Sequence, residues 1–259
     1  MSESTKLTTQ IQGHLLLIGL NRPEKRNAAD LEMLHALALA YGELDKNPDL
    51  RAGVVFAHGD HFTAGLDLAD LGPKMAAGGL NMVPDGGLDP WGISTKQVSK
   101  PVVMAIQGTC FTLGVELALN SEIVIAAENA MFAQLEVSRG ILPFGGGTIR
   151  FPRTAGWSNA MRYLLTGDSF DAKTAKEMGL VTEVVPVGEE LNRAIELANL
   201  IATQAPLAVQ ATLASARNQD PEQEAQMLML RLGKLMQSKD VARGMQAFMT
   251  KTVAEFEGN

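Results

Sequence analysis

Short apolar runs alternate along this chain with longer stretches whose apolar residues recur every three or four positions, which restricts it to one broad fold class. The runs His14-Leu15-Leu16-Leu17-Ile18-Gly19-Leu20, Ala52-Gly53-Val54-Val55-Phe56-Ala57, Val102-Val103-Met104-Ala105-Ile106, Ile123-Val124-Ile125-Ala126-Ala127 and Leu180-Val181-Thr182-Glu183-Val184-Val185 suit buried strands. Between the first two, Leu34, Leu37, Ala38, Tyr41 and Leu44 share one helical face. Asn27 and Asp30 mark the start of that helix, and Pro48 lies beyond its end. Strands alternating with helices predict an α/β architecture with crossover connections. From about Glu189 the strand signals stop. Leu191, Ala194, Ile195, Ala198 and Ile201 keep helical spacing, and Met227, Leu228, Leu230, Leu232, Leu235 and Met236 make a second apolar-rich helix. The chain thus divides into a core of residues 1–188 and a helical region of residues 189–259. A tail this apolar has to pack on the core or on another subunit.

Composition narrows the function classes. A chain of 259 residues that is 46% apolar buries a full core and is not disordered. Its net charge of −7 argues against a phosphate-backbone binder, so no nucleic-acid partner is expected. Cys110 is the single cysteine, which excludes an intrachain disulfide and fits a reducing compartment. The start, Met1-Ser2-Glu3-Ser4-Thr5-Lys6, is polar and lacks a signal-type apolar run. The most apolar stretch, residues 102–119, is interrupted by Gln107, Gly108, Gly114 and Glu116 and makes a poor membrane span. The expected location is therefore cytoplasmic. His14, His35, His58 and His61 lack ligand spacing, so no metal site is expected.

Two runs each set a glycine beside a backbone amide: Phe62-Thr63-Ala64-Gly65-Leu66-Asp67-Leu68 and Gly108-Thr109-Cys110-Phe111-Thr112-Leu113-Gly114-Val115-Glu116-Leu117. Phe132-Ala133-Gln134-Leu135-Glu136 follows. Two amides aimed at one oxygen, with two carboxyls nearby, are what enolate chemistry needs. The oxyanion wants preorganised N–H donors, and the neighbouring carbon wants a positioned acid or base. Each piece alone also has a plainer reading. Ala64-Gly65-Leu66-Asp67 is a common turn, with Asp67 as a helix cap. Glu116 falls in the first turn of a helix expected from near Leu113, where the helix dipole favours a carboxylate. Glu136 alternates with Gln134 as a solvated strand residue would. Gly145-Gly146-Gly147-Thr148 lacks the lysine and spacing of a nucleotide-binding loop and reads as a glycine-rich helix entry. Cys110, with no adjacent base, reads as a small core residue. Residues 72–99, with Pro73, Pro84, Pro90, Gly78-Gly79, Gly86-Gly87 and Trp91, read either as a functional lid or as a surface insertion.

The order of these pieces resembles the crotonase (enoyl-CoA hydratase/isomerase) superfamily, from about Leu15 to Lys251. Leu20-Asn21-Arg22-Pro23-Glu24-Lys25-Arg26-Asn27-Ala28 looks like the family segment that opens the coenzyme A site. Gly140-Ile141-Leu142-Pro143-Phe144-Gly145-Gly146-Gly147-Thr148, Met161-Arg162-Tyr163-Leu164-Leu165-Thr166-Gly167 and Ala175-Lys176-Glu177-Met178-Gly179-Leu180-Val181 match its later segments. The resemblance implies a spiral of ββα turns with a helical trimerisation tail, in a homotrimer or a dimer of trimers. It places oxyanion-hole amides on Leu66 and Leu113 and catalytic carboxyls on Glu116 and Glu136. It implies coenzyme A contacts from Lys25, Arg26, Ala64, Gly65, Leu66, Asp67 and Leu68, with Phe248 and Lys251 reaching a neighbour's coenzyme A. The implied reaction is syn hydration of a 2-enoyl-CoA, with no cofactor beyond the coenzyme A of the substrate. Double-bond isomerisation or other enolate chemistry is the alternative, and a non-catalytic or RNA-binding relative fits the acidic balance and paired glutamates less well. Two positions depart from the family pattern. Leu113 and Phe144 stand where glycine is usual, and both add bulk to the acyl pocket.

Overall fold

Strands that are apolar on both faces need cover on both faces. The computed structural model describes residues 6–78 and 80–259, so the polar start read above, residues 1–5, and Gly79 of the irregular segment lie outside the described residues. In chain order the elements are β1 (Leu7–Gln12), β2 (Leu15–Leu20), α1 (Leu31–Lys46), β3 (Ala52–Ala57), α2 (Leu68–Ala76), β4 (Val102–Ile106), β5 (Thr109–Phe111), α3 (Leu113–Leu119), β6 (Ile123–Ala127), β7 (Met131–Ala133), α4 (Gly147–Ala155), α5 (Trp157–Thr166), β8 (Ser169–Asp171), α6 (Ala172–Glu177), β9 (Glu183–Val185), α7 (Glu190–Ala202), α8 (Pro206–Ala216), α9 (Pro221–Leu235) and α10 (Lys239–Thr250). Single helical turns cover Pro23–Lys25 and Glu136–Arg139.

The main sheet runs β1-β2-β3-β4-β6-β9, parallel throughout except for the antiparallel β1–β2 edge. β5, β7 and β8 form a second, small sheet. β3, β4 and β6 coincide with the apolar runs read as strands. The fifth run is corrected. Only Glu183–Val185 is strand, while Leu180 and Val181 are buried in the turn after α6, both amides donating to the Ala175 carbonyl. One sheet face, built from Leu15, Leu17, Val54, Val103, Ala105 and Ile125, takes Ala194, Ala198 and Ala202 of α7. Small residues there let the helix lie close, so the first helix of the 189–259 region covers the core's own sheet. Ile18, Leu20, Val55, Met104 and Ile106 join a second cluster with Met33, Leu34, Leu37, Tyr41 and Leu44 of α1.

Asp30 caps α1, accepting from the Met33 amide at 3.0 Å. Asn27, read as a start signal, does something else. It is fully buried at φ 54°, accepts from the Arg22 amide and donates to the carbonyls of His58 and His61. It thereby ties the loop after β2 to the loop after β3. The apolar residues of α9 and α10 face away from the chain's own core: Leu228, Met229, Leu230, Leu232, Met236, Met245 and Met249 are exposed. Residues 251–259 fold back on α10, where the Asp240 carboxylate accepts from the amides of Glu257 and Gly258. Among the described residues no helix is long and apolar enough to cross a membrane.

Candidate active site

The two glycine-bearing runs are stitched together by their backbones. The Thr63 amide donates to Thr109 and the Phe111 amide to Thr63, while Ala29 donates to Gly65 and accepts from Asp67. This ladder passes over Leu66 and leaves its N–H unused. Leu113 opens α3, so its N–H has no acceptor within the helix. Among the described residues neither amide donates to a protein group. Both residues line one cavity of about 240 Å³ with Glu116 and Glu136.

Glu116 is 2% exposed. The Gly147 amide donates to its Oε1 at 2.9 Å. A Cβ added to Gly145 would fall 2.7 Å from Glu116 Oε2, and one on Gly147 3.1 Å from Oε1. The glycine run read as a helix entry does open α4, and it also cradles this carboxylate. Burial pushes the Glu116 carboxyl up, and the Gly147 and Gly145 amides and Arg150 pull it back.

Glu136 opens the turn Glu136–Arg139 and is 5% exposed, which corrects the solvated-strand reading. Its Oε2 has no partner, and burial, with the charge of Glu116 adding to it, pushes the carboxyl up to about 7. Gln134, also fully buried, leaves both side-chain amide atoms unpartnered. Two buried carboxyls of unequal proton affinity beside two free amides can hold a developing oxyanion and move protons next to it.

The irregular segment walls this site. Trp91 Nε1 donates to the Leu113 carbonyl at 2.9 Å. The buried Asp89 carboxylate gathers the amides of Trp91, Ile93 and Ser94. Beneath this wall a second apolar pocket, about 70 Å³, is lined by Leu34, Met82, Trp91, Ile93, Leu113 and Phe144. Phe144 lines both this pocket and the larger cavity. The sequence reading missed Asp89 and Trp91, although an Asp two residues ahead of a Trp in a turn-rich loop is a signal for a side-chain-organised turn. It also gave no role to Thr112, Gln134 or Arg139, all in or beside the cavity.

Lys25 and Arg26 are exposed, and the Arg26 carbonyl accepts from the Ala64 amide at 2.9 Å, which sets them beside Ala64, Gly65, Leu66 and Leu68 on one rim. Asp67 stands at the start of α2 but caps it with no side-chain bond. Arg22 Nη1 reaches its carboxylate at 2.8 Å and holds it below the usual carboxylate range. Phe248, 87% exposed, and Lys251 lie on the tail and do not line the cavity of their own chain. Cys110 is fully buried, and burial pushes its thiol up, which fits the core reading. Among the described residues no group of three His, Cys, Asp or Glu could hold a metal ion.

A parallel sheet feeding two amide-bearing loops and two glutamates into one cavity defines an α/β enzyme of acyl-group chemistry, and comparison with known proteins gives it a family. The enoyl-CoA hydratase/isomerase family model matches residues 10–259. Enoyl-CoA hydratase EchA19 of Mycobacterium tuberculosis is 35% identical over 95% of this chain and 94% of that protein. The 2,3-dehydroadipyl-CoA hydratase of Escherichia coli is 33% identical over 98% and 99%. The crystal structure of a probable enoyl-CoA hydratase/isomerase from Mycobacterium abscessus superposes with a TM-score of 0.94 at 52% identity, covering 98% of this chain and 99% of that one. The chain belongs to the enoyl-CoA hydratase/isomerase family, within the crotonase superfamily.

Proposed function

We propose that this protein adds water across the double bond of a 2-enoyl-CoA thioester. The observation that carries the reading is the convergence of two partner-free amides and two buried carboxyls on one cavity. The thioester oxygen binds between the amides of Leu66 and Leu113, each worth roughly 3 kcal/mol once charge develops. Glu116, whose Oε1 accepts from the Gly147 amide, takes a proton from water as the water oxygen bonds to C3. Glu136, its carboxyl raised to about 7, carries the proton that goes to C2 as the double bond is lost. Lys25 and Arg26 offer charge to the coenzyme A phosphates, with Ala64, Gly65, Asp67 and Leu68 as the rim along which it lies. Coenzyme A belongs to the substrate and no further cofactor takes part. The exposed apolar residues of α9 and α10 would be covered in a homotrimer or a dimer of trimers, bringing Phe248 and Lys251 to a neighbour's coenzyme A. The acidic net charge favours no nucleic-acid partner.

A second reading, shift of the double bond, is favoured by one observation. Phe144 lines the cavity together with both glutamates, and its bulk would leave less room there for a water. Loss of enoyl absorbance across a panel of acyl-CoA thioesters tests the first reading. Glu116→Gln and Glu136→Gln should each slow turnover by about two decades or more while thioester binding persists. Full hydration by the Glu136→Gln form would support the isomerase reading instead.

A further inference from the structure

Thr112 carries a β-branched side chain in a conformation suited to glycine. Its φ of 51° and ψ of −114° lie close to the first central position of a type II′ turn, about +60° and −120°. For a β-branched residue this is an outlier, and such strain persists at sites where the rest of the structure imposes it. The backbone of Thr112 is engaged. Its N–H donates to Ala133 at 2.8 Å and its carbonyl accepts from Glu116 at 3.1 Å. The hydroxyl is not engaged: among the described residues it bonds to no protein group, and Thr112 lines the catalytic cavity. It also lies against Gly65, where an added Cβ would fall 2.2 Å from Thr112 Oγ1. Gly65 immediately precedes Leu66, and Thr112 immediately precedes Leu113. The free hydroxyl thus sits beside the residues that carry both free amides.

We propose that the Thr112 hydroxyl is a third hydrogen-bond donor to the thioester carbonyl oxygen, joining the amides of Leu66 and Leu113. The inference rests on the acyl-thioester reading above. Glycine at 112 would relieve the backbone and leave the same amide in place, but it would delete the donor. The strained threonine is therefore retained for its oxygen. As the enolate forms, charge concentrates on the bound oxygen, and a donor already aimed there stabilises that state more than the ground state.

Three substitutions separate this role from a packing role. Thr112→Val keeps shape and strain without the hydroxyl, Thr112→Ser keeps the hydroxyl, and Thr112→Gly removes both hydroxyl and strain. With a 2-enoyl-CoA, the Val and Gly forms should lose about a hundred- to a thousandfold in kcat/KM, the range of a single oxyanion donor. The Ser form should stay within about threefold. The Gly form should melt at a higher temperature than the parent while being the poorer enzyme, so misfolding cannot explain its loss. A second readout is the absorbance of a bound 2,4-dienoyl-CoA. Polarising its carbonyl moves the band to the red, and the shift should shrink in the Val and Gly forms and persist in Ser. Val and Gly forms with parental kcat/KM and an unchanged shift would overturn the proposal. A parent protein that shows the red shift but hydrates no enoyl-CoA would overturn the hydratase reading and leave the Thr112 comparison intact.

Discussion

Glu136 is destabilising where it is useful, and Glu136→Gln should expose the size of that penalty. The folded protein holds a proton on Glu136 up to about pH 7, whereas the unstructured side chain releases it near 4.5. Between those values the folded state binds more protons than the unfolded one, so stability falls as pH rises through the window. Taken at full weight, the difference between about pH 5 and about pH 8 is about 2.5 kcal/mol. Water in the cavity screens the carboxylate, so about half that figure is the expectation. Gln at 136 keeps the shape and does not titrate. Chemical denaturation of both forms at about pH 5, 6, 7 and 8 gives the test. Glu136→Gln should gain about 1–2.5 kcal/mol relative to the parent over that range, with little difference at the acid end. Glu116 is present in both forms, so the comparison isolates Glu136 and its coupling to Glu116. A stability difference independent of pH would refute the buried carboxyl as the cause.

Phe144→Gly should raise hydration of crotonyl-CoA relative to longer enoyl-CoAs, because Phe144 lines both the cavity that holds the two glutamates and the pocket beside Trp91. An unchanged ratio of specificity constants would remove this ring from reaction choice. The ring is 39% exposed, so its loss should cost only about 1–2 kcal/mol in a denaturation curve, less than truncation of a fully buried aromatic. Removal of residues after Lys239 strips the exposed apolar face of α10 and the segment anchored on Asp240. Mass by light scattering and acyl-CoA affinity by titration should fall together, and unchanged values of both would exclude the tail from assembly and binding.

What the sequence disclosed follows the physics of each element. β3, β4 and β6 are central strands, so nearly every side chain is buried and the apolar run coincides with the strand. β1 went unseen because Thr8, Thr9, Gln10 and Gln12 make an edge strand that needs no apolar alternation beyond Leu7. β5, β7 and β8 are three residues each, too short to show a period. Leu180 and Val181 looked like strand because burial, not extension, selects their side chains. That Leu66, Leu113, Glu116 and Glu136 converge on one cavity was legible through local runs and their order along the chain. The wall formed by Asp89 and Trp91 was not, since its bond to Leu113 joins residues 22 apart through tertiary packing alone.

A third segment makes the surroundings of the two glutamates unequal. Both are almost equally buried, at 2% and 5% exposure, and burial raises both carboxyls. Their surroundings differ: the Gly147 and Gly145 amides and Arg150 pull the Glu116 carboxyl down, while Glu136 Oε2 receives nothing and the charge of Glu116 raises its carboxyl further. The Gly147 amide reaches Glu116 only because residues 145 and 147 lack side chains, since either Cβ would crowd the carboxylate or the Gln134 amide beside it. On the proposed hydration, a glycine run with no titratable group would favour Glu116 as the base and Glu136 as the acid. Burial, which destabilises the ionised form of both, is opposed less at Glu136, and there it pushes the carboxyl up to about 7.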